Sequence, residues 1–372
     1  MPETIFRPAR ILLPQNIPLD QWAVVACDQF SSQPAYWEEV RARVKGRPSA
    51  FHLVFPECWL ESADAAAYIA GIHGAMDRAL ADGTLGELPE GYLYCQRTLS
   101  TGQVRHGLVG ALDLERYSYR PQDRTAVRAT EGTVTDRLPP RMAVRRGAAL
   151  ELPHVLVLLD DREKTVLEPL AAAVGEMTLE YEGPLMLGGG SIRGWRLGQA
   201  QAARAQAALA ALETKGGMVY AVGDGNHSLA AAKECFEELK KSLPREVWER
   251  HPARYALVEL GNLYDPSLVF EPIHRVVTGV DPGGLVAEMT ARLGLSPQER
   301  GAQRIGLIAP GDGGPRWITK PSSPLAVGSV QAFLDEYLAA HPGGTVDYIH
   351  GEEALRELVG GRGDALGLLL PP

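Results

Sequence analysis

The chain has 372 residues, 45% hydrophobic and 22% charged, a balance that fits a folded soluble protein with a sizeable core and excludes a disordered one. Acidic residues outnumber basic ones 46 to 37, and the formal net charge of −9 disfavours broad binding to nucleic-acid backbones, so any anion site must be local. Arginine supplies 30 of the 37 basic residues, which loads the chain with groups able to grip phosphate through two bonds.

Cys27, Cys58, Cys95 and Cys235 show no CxxC or zinc-ligand spacing and read as reduced thiols. Prolines 2, 8, 14 and 18 break up any leader-like run, and no stretch approaches the ~18–20 apolar residues of a membrane span. The expected address is the cytoplasm, with no nucleic-acid or membrane partner.

In chain order, the apolar run 22–27 predicts a buried strand ending at Asp28 and Gln29, followed by a turn and a helix over 36–44. Polar residues at a strand exit line clefts in α/β proteins, so Asp28, Gln29 and Ser32 are candidate substrate contacts or, alternatively, part of a capping turn. A helix over 63–82 follows, and the alternation of 92–97 and 103–112 predicts two antiparallel strands, with His106 a strand residue rather than a ligand.

Between residues 120 and 146 stand seven arginines against three acids, a local excess of +4. Within it Arg128, Thr130, Glu131 and Thr133 surround Gly132. An arginine and two hydroxyls can hold a phosphate, and a carboxylate among them can serve as base or magnesium ligand. A solvated charged loop is the alternative. Pro139 and Pro140 end this loop, 154–159 predicts a buried strand, and 160–165 reads as a hairpin turn with exposed acids. The glycine-rich 188–194 lacks P-loop and dinucleotide spacing and reads as a flexible loop, able to act as a lid, before a helix over 200–212.

Residues 218–236 organise the rest. Met218 to Val222 suit a short buried strand, and apolar residues at 229, 232, 236, 239 and 243 keep helical spacing. The turn between them gathers Asp224, Asn226, His227 and Ser228 around Gly223 and Gly225. A helix N-terminus presents unpaired N–H donors and partial positive charge, so its usual guest is an anion. An ordinary capped junction is the structural alternative. Strands over 254–260 and 268–270 then lead to His274 and Arg275, which either face the anion site or sit in a core. From residue 281 the pattern is helix 285–293, strands 304–309 and 316–319, and helix 327–339, a peripheral or dimer-forming unit.

The run Val222-Gly-Asp-Gly-Asn-His-Ser-Leu-Ala-Ala-Ala-Lys233 resembles the Asp-Gly-(His/Asn)-His signature of the prokaryotic family catalogued as domain of unknown function ten-fifteen. The segments 22–39, 128–133, 139–141, 251–259 and 271–277 agree with the same family, so the resemblance covers nearly the whole chain. The family usually continues past a strand like 365–370 into a Pro-Arg or Pro-Lys-Thr/Ser tail, which this sequence does not carry. More distantly, strand, polar turn and Ala-rich helix look like the phosphate-binding segment of the ParB/sulfiredoxin-like superfamily, whose members bind nucleotides and include free-serine kinases. Ser228 stands where that superfamily usually has arginine, so another arginine, such as Arg275, would have to replace it.

Together these features predict an α+β protein of mixed sheets with flanking helices around a central ParB/sulfiredoxin-like strand–turn–helix unit, organised as residues 1–120, 121–280 and 281–372. The leading expectation is a nucleotide-dependent phosphotransferase or nucleotide hydrolase acting on a small metabolite, with ATP, ADP or CTP and magnesium as cofactors. Asp224, His227 and Glu131 are the expected catalytic groups, with Asp224 also the magnesium ligand. Gly225, Asn226, Ser228, Arg128, Thr130, Thr133, Arg141 and Arg275 would hold phosphate or nucleotide, and Asp28, Gln29 and His274 would contact substrate. The alternatives are a non-catalytic nucleotide-binding switch and a metal-dependent hydrolase using His227, Asp224 and His274. A small-molecule ligand and a possible homodimer complete the expected partners.

Overall fold

The computed structural model describes every residue except 1–3, 28, 31–32, 61–63, 131, 153, 269–271, 302, 310–312 and 372, and all of the described side chains but that of His350. The chain is α+β and divides into two units, Met1–Leu268 and Val269–Pro372. Among the described residues no helix is long and apolar enough to cross a membrane.

The first unit is built on a ten-stranded mixed sheet. Its strands run in the order Tyr117–Ser118, Val127–Ala129, Tyr220–Asp224, Leu156–Leu159, Tyr255–Asn262, Val104–Asp113, Leu93–Thr98, Ser191–Arg196 and Thr178–Pro184, and Phe6–Arg7 pairs on Val104–Asp113. Three neighbouring pairs are parallel, among them Val127–Ala129 with Tyr220–Asp224 and Leu156–Leu159 with Tyr255–Asn262. Successive side chains of a strand point to opposite faces. On one face Tyr94, Leu108, Val157, Leu159, Tyr220, Val222, Val258 and Leu260 are buried. Leu209 of the helix Gln199–Thr214 and Leu229, Ala232 and Phe236 of the helix Asn226–Ser242 cover that face. The opposite face carries Cys95, Arg97, Arg105, Gly107, Leu156 and Glu259, and most of it lines a cleft of about 2550 Å³.

The second unit carries a six-stranded antiparallel sheet in the order Leu295–Ser296, Gly314–Ile318, Gln303–Ile308, Ala365–Leu369, Ile273–Thr278, Thr345–His350. Helices Pro282–Leu293 and Ala326–Ala340 bury Leu285, Met289, Val330 and Phe333 in its core. Asp281 starts the first of them by accepting bonds from the N–H groups of Gly283 and Gly284 at 3.2 and 3.0 Å, and Pro282, which has no N–H to satisfy, follows it.

Four local expectations differ from the structure. Residues 23–26 form no strand; the run leaves the short helix Leu19–Trp22 as irregular chain and lines the cleft, where apolar residues find burial without a ladder partner. The glycine-rich 188–194 is half strand: Ser191–Arg196 pairs on both sides, and Gly194 is needed because a Cβ there would lie 2.1 Å from the Tyr181 ring. The 160–165 turn opens a short helix, Leu167–Ala172, rather than a hairpin, and Asp161 is fully buried, accepting from the N–H groups of Thr165 at 2.6 Å and Val166 at 2.9 Å. Pro139 and Pro140 open the helix Leu138–Arg145 instead of only closing the loop before it, since a first helical turn has no use for their missing N–H groups. The strand expected over 268–270 falls largely outside the described residues.

Candidate functional site

The central turn follows from two glycines. Gly225 takes the left-handed conformation, φ +79°, and is the N-cap of the helix Asn226–Ser242. A Cβ at Gly223 would lie 2.8 Å from Leu158 Cγ, so the strand exit packs tightly on its neighbour. The register shifts between Val222 and Asp224 where they pair with Leu156–Leu159. Such a bulge re-aims the side chains at a strand end.

Four polar side chains stand around this turn, and the N-cap position itself is Gly225, which has no side chain to offer the helix. The Leu229 N–H is the donor to the Gly225 carbonyl, 3.0 Å, so the amides of Asn226, His227 and Ser228 precede the intrahelical ladder. Asp224 Oδ1 accepts from the Gly225 N–H at 2.8 Å, and Asp224 lines the cleft. Asn226 is buried at the start of the helix.

Strand pairing brings two distant segments to this point. Because Val127–Ala129 runs parallel to Tyr220–Asp224, both strands release their following turns at the same edge. Thr130 Oγ1 donates to the Val222 carbonyl at 2.6 Å, and the Val134 N–H donates to His227 Nε2 at 3.3 Å. Accepting there, a neutral His227 ring carries its proton on Nδ1. Leu156–Leu159 runs the other way, so its entry lies beside the exit of Tyr220–Asp224, with Asp224 opposite Leu156. This carries His154 to Ser228, and Oγ and Nε2 share a hydrogen bond of 2.7 Å. Thr133 Oγ1 is buried and has no hydrogen-bond partner among the described residues.

The arginine cluster behaves differently. Arg141 is paired with Glu57, Arg145 with Glu151 at 2.8 Å, and Arg146 with Glu238 at 2.8 Å. The local excess of +4 in the sequence is thus largely offset by acids from elsewhere in the unit, and Arg141 also donates to the Arg137 carbonyl at 2.6 Å. Arg128 turns back to donate from Nε to the Thr125 carbonyl at 2.9 Å. Gln29 lines the cleft, whereas Asp28 and Glu131 lie outside the described residues.

His274 and Arg275 belong to the second unit. His274 is 5% exposed and its Nδ1 accepts from the Leu370 N–H at 3.2 Å, which makes it a hydrogen-bonded core residue. Arg275 donates to Gln331 Oε1 at 2.9 Å and to the Ile273 carbonyl at 2.6 Å, and stacks 4.2 Å over the Tyr348 ring. Burial lowers its pKa from the ordinary guanidinium value. Among the described residues no group of three His, Cys, Asp or Glu side chains is arranged to hold a metal ion.

Sequence reasoning passed over His154 because nothing local marks a histidine before a buried strand. It passed over Arg97, Arg105 and Glu259, which line the cleft, because their meeting depends on cross-strand register. Only the inversion of the usual strand pattern, charges at 97, 105 and 259 within otherwise apolar strands, signalled a second face with its own work.

No curated protein and no solved structure matches the chain. Residues 6–337 match the family model described as "Protein of unknown function (DUF1015)", and the chain belongs to that family.

Proposed function

We propose that the protein is a nucleotide-dependent phosphotransferase acting on a small hydroxylated metabolite. The observation that carries this reading is the convergence, on the N-terminus of a 17-residue helix whose N-cap is Gly225, of the turn after Val127–Ala129 and the entry to Leu156–Leu159. Phosphoryl transfer asks mainly for positioned donors and charge stabilisation, which such an arrangement supplies. The distant likeness of this strand–turn–helix to the ParB/sulfiredoxin-like superfamily supports the same ligand class by analogy.

In this reading the amides of 226–228 hold the terminal phosphates, and Ser228, held by His154, adds a hydroxyl donor. Thr133 Oγ1 offers a second. Asp224 is the residue that would hold magnesium, an ion that takes one or two protein carboxylates and completes its shell with phosphate and water. When bound, magnesium would neutralise phosphate charge. His227 accepts from the Val134 N–H and ties that residue to the helix.

The test is calorimetry and thermal shift with ATP, ADP, CTP, GTP and pyrophosphate, with and without magnesium, on wild type, Asp224→Ala and Ser228→Ala. A nucleotide at 100 times its dissociation constant should stabilise the wild type by about 2.7 kcal/mol. Both variants should lose most of that gain. Binding without turnover on any hydroxylated acceptor would turn the reading into a nucleotide-binding switch, and absence of binding by all five ligands would end it.

A further inference from the structure

The floor of the same cleft carries two guanidinium groups that the proposed phosphate site does not use. Arg97 and Arg105 stand directly opposite each other on Leu93–Thr98 and Val104–Asp113. Like charges so placed destabilise a sheet unless an anion lies between or beside them. Glu259 supplies one: Arg105 Nη2 lies 3.2 Å from its Oε1, with side chains 19% and 23% exposed. Gly107 makes room for that carboxylate, because a Cβ there would come within 2.5 Å of Glu259 Oε1 and 2.8 Å of Cys95 Sγ.

The remaining charge is unanswered. Nε of Arg97 and Nε of Arg105 are buried and have no hydrogen-bond partner among the described residues. Burial, reinforced by Arg105, lowers the Arg97 pKa. The neighbouring Cys95 thiol is pushed up by burial, so it stays neutral and offers no compensating charge. Two guanidiniums against one carboxylate leave a single positive charge on a water-accessible floor, and guanidinium donors match planar oxyanions in geometry. A carboxylate fits that surplus better than a phosphate monoester, which is mostly a dianion at neutral pH.

We infer that Arg97 and Arg105 form a subsite for a carboxylate of the small-molecule substrate, so that the metabolite is a hydroxy acid. Its role as phosphoryl acceptor rests on the phosphotransferase reading; the carboxylate subsite itself does not. Glu259 is a positioning residue, which holds Arg105 in place.

The test is calorimetric titration of glycolate, lactate and glycerate, with glycerol and glycerol 3-phosphate as the uncharged and phosphorylated comparisons. The proteins are wild type, Arg97→Gln and Arg97→Lys, each first checked by thermal melting. At least one hydroxy acid should bind the wild type and glycerol should not. Affinity should fall at least tenfold in Arg97→Gln and less in Arg97→Lys, which keeps the charge but not the fork; if Arg97→Gln does not fold, Arg97→Lys must still weaken binding measurably. The inference is overturned if no hydroxy acid binds, if folded Arg97 variants bind as well as wild type, or if glycerol 3-phosphate binds more tightly than every acid. Hydroxy-acid binding without any nucleotide binding would leave the subsite standing and remove only the acceptor role.

Discussion

Gly225→Ala is the sharpest probe of the central turn. Gly225 sits at φ +79°, and an added Cβ would meet Val155 Cα and Cγ2 at 3.1 Å. The left-handed conformation costs a non-glycine residue roughly 1–2 kcal/mol. The contact adds to this, because Val155 Cα belongs to the backbone and cannot swing aside; together they should cost about 2–3 kcal/mol. Two other glycines separate these contributions. Gly216 is also left-handed, φ +75°, but a Cβ there meets nothing within 4 Å, so Gly216→Ala reports the conformational cost alone. Gly132 has open space and no left-handed φ, so Gly132→Ala should change stability by less than ~0.5 kcal/mol. Urea unfolding followed by tryptophan fluorescence is the assay, since Trp22, Trp37, Trp59, Trp195 and Trp248 all lie in the first unit. If Gly225→Ala loses no more than Gly216→Ala, the close packing of the turn on Val155 is not a constraint, and the turn is less rigid than its geometry implies.

Arg254 donates from Nε and Nη2 to the two oxygens of Asp113, at 3.0 and 2.6 Å, and Asp113 is only 8% exposed. Arg254→Met leaves that carboxylate buried without its cation and should cost about 3 kcal/mol, read as a lower urea midpoint at unchanged slope; a loss below ~1 kcal/mol would show that water replaces the arginine. Glu213 gives a pH signature. Burial pushes its pKa up, outweighing the bonds it accepts from Tyr220 at 2.6 Å and the Ile5 N–H at 3.0 Å. An acid whose pKa is higher folded than unfolded favours folding at low pH, and that contribution is lost as pH rises through the folded value. Glu213→Gln should therefore gain stability relative to wild type as pH rises through and above the ordinary carboxylate range, and a difference that stays constant there would refute the assignment.

Much of the local structure was legible in the sequence because it is written in short-range periodicity. The apolar spacing at 229, 232 and 236 does bury Leu229, Ala232 and Phe236 against the sheet, and the helix expected over 285–293 does form, starting three residues earlier at Pro282. Each depends on neighbours within one helical turn. The same reasoning failed at 23–26 and 188–194, where apolar character or glycine content is compatible with more than one partner and the partner decides.

What the sequence by itself determined was a folded, acidic α+β chain with a strand, a polar turn and a helix at 220–242, since composition, alternation and helical spacing are properties of contiguous residues. Only the tertiary structure decided what meets that turn. Insertion of Tyr220–Asp224 between Val127–Ala129 and Leu156–Leu159 carries Thr130 to Val222 and His154 to Ser228, across 92 and 74 residues of chain. The same packing gives Arg141, Arg145 and Arg146 their acids and sets Arg97 opposite Arg105. Strand order and register are chosen by burial of the whole sheet, and no local pattern encodes which distant charge will be found across the ladder.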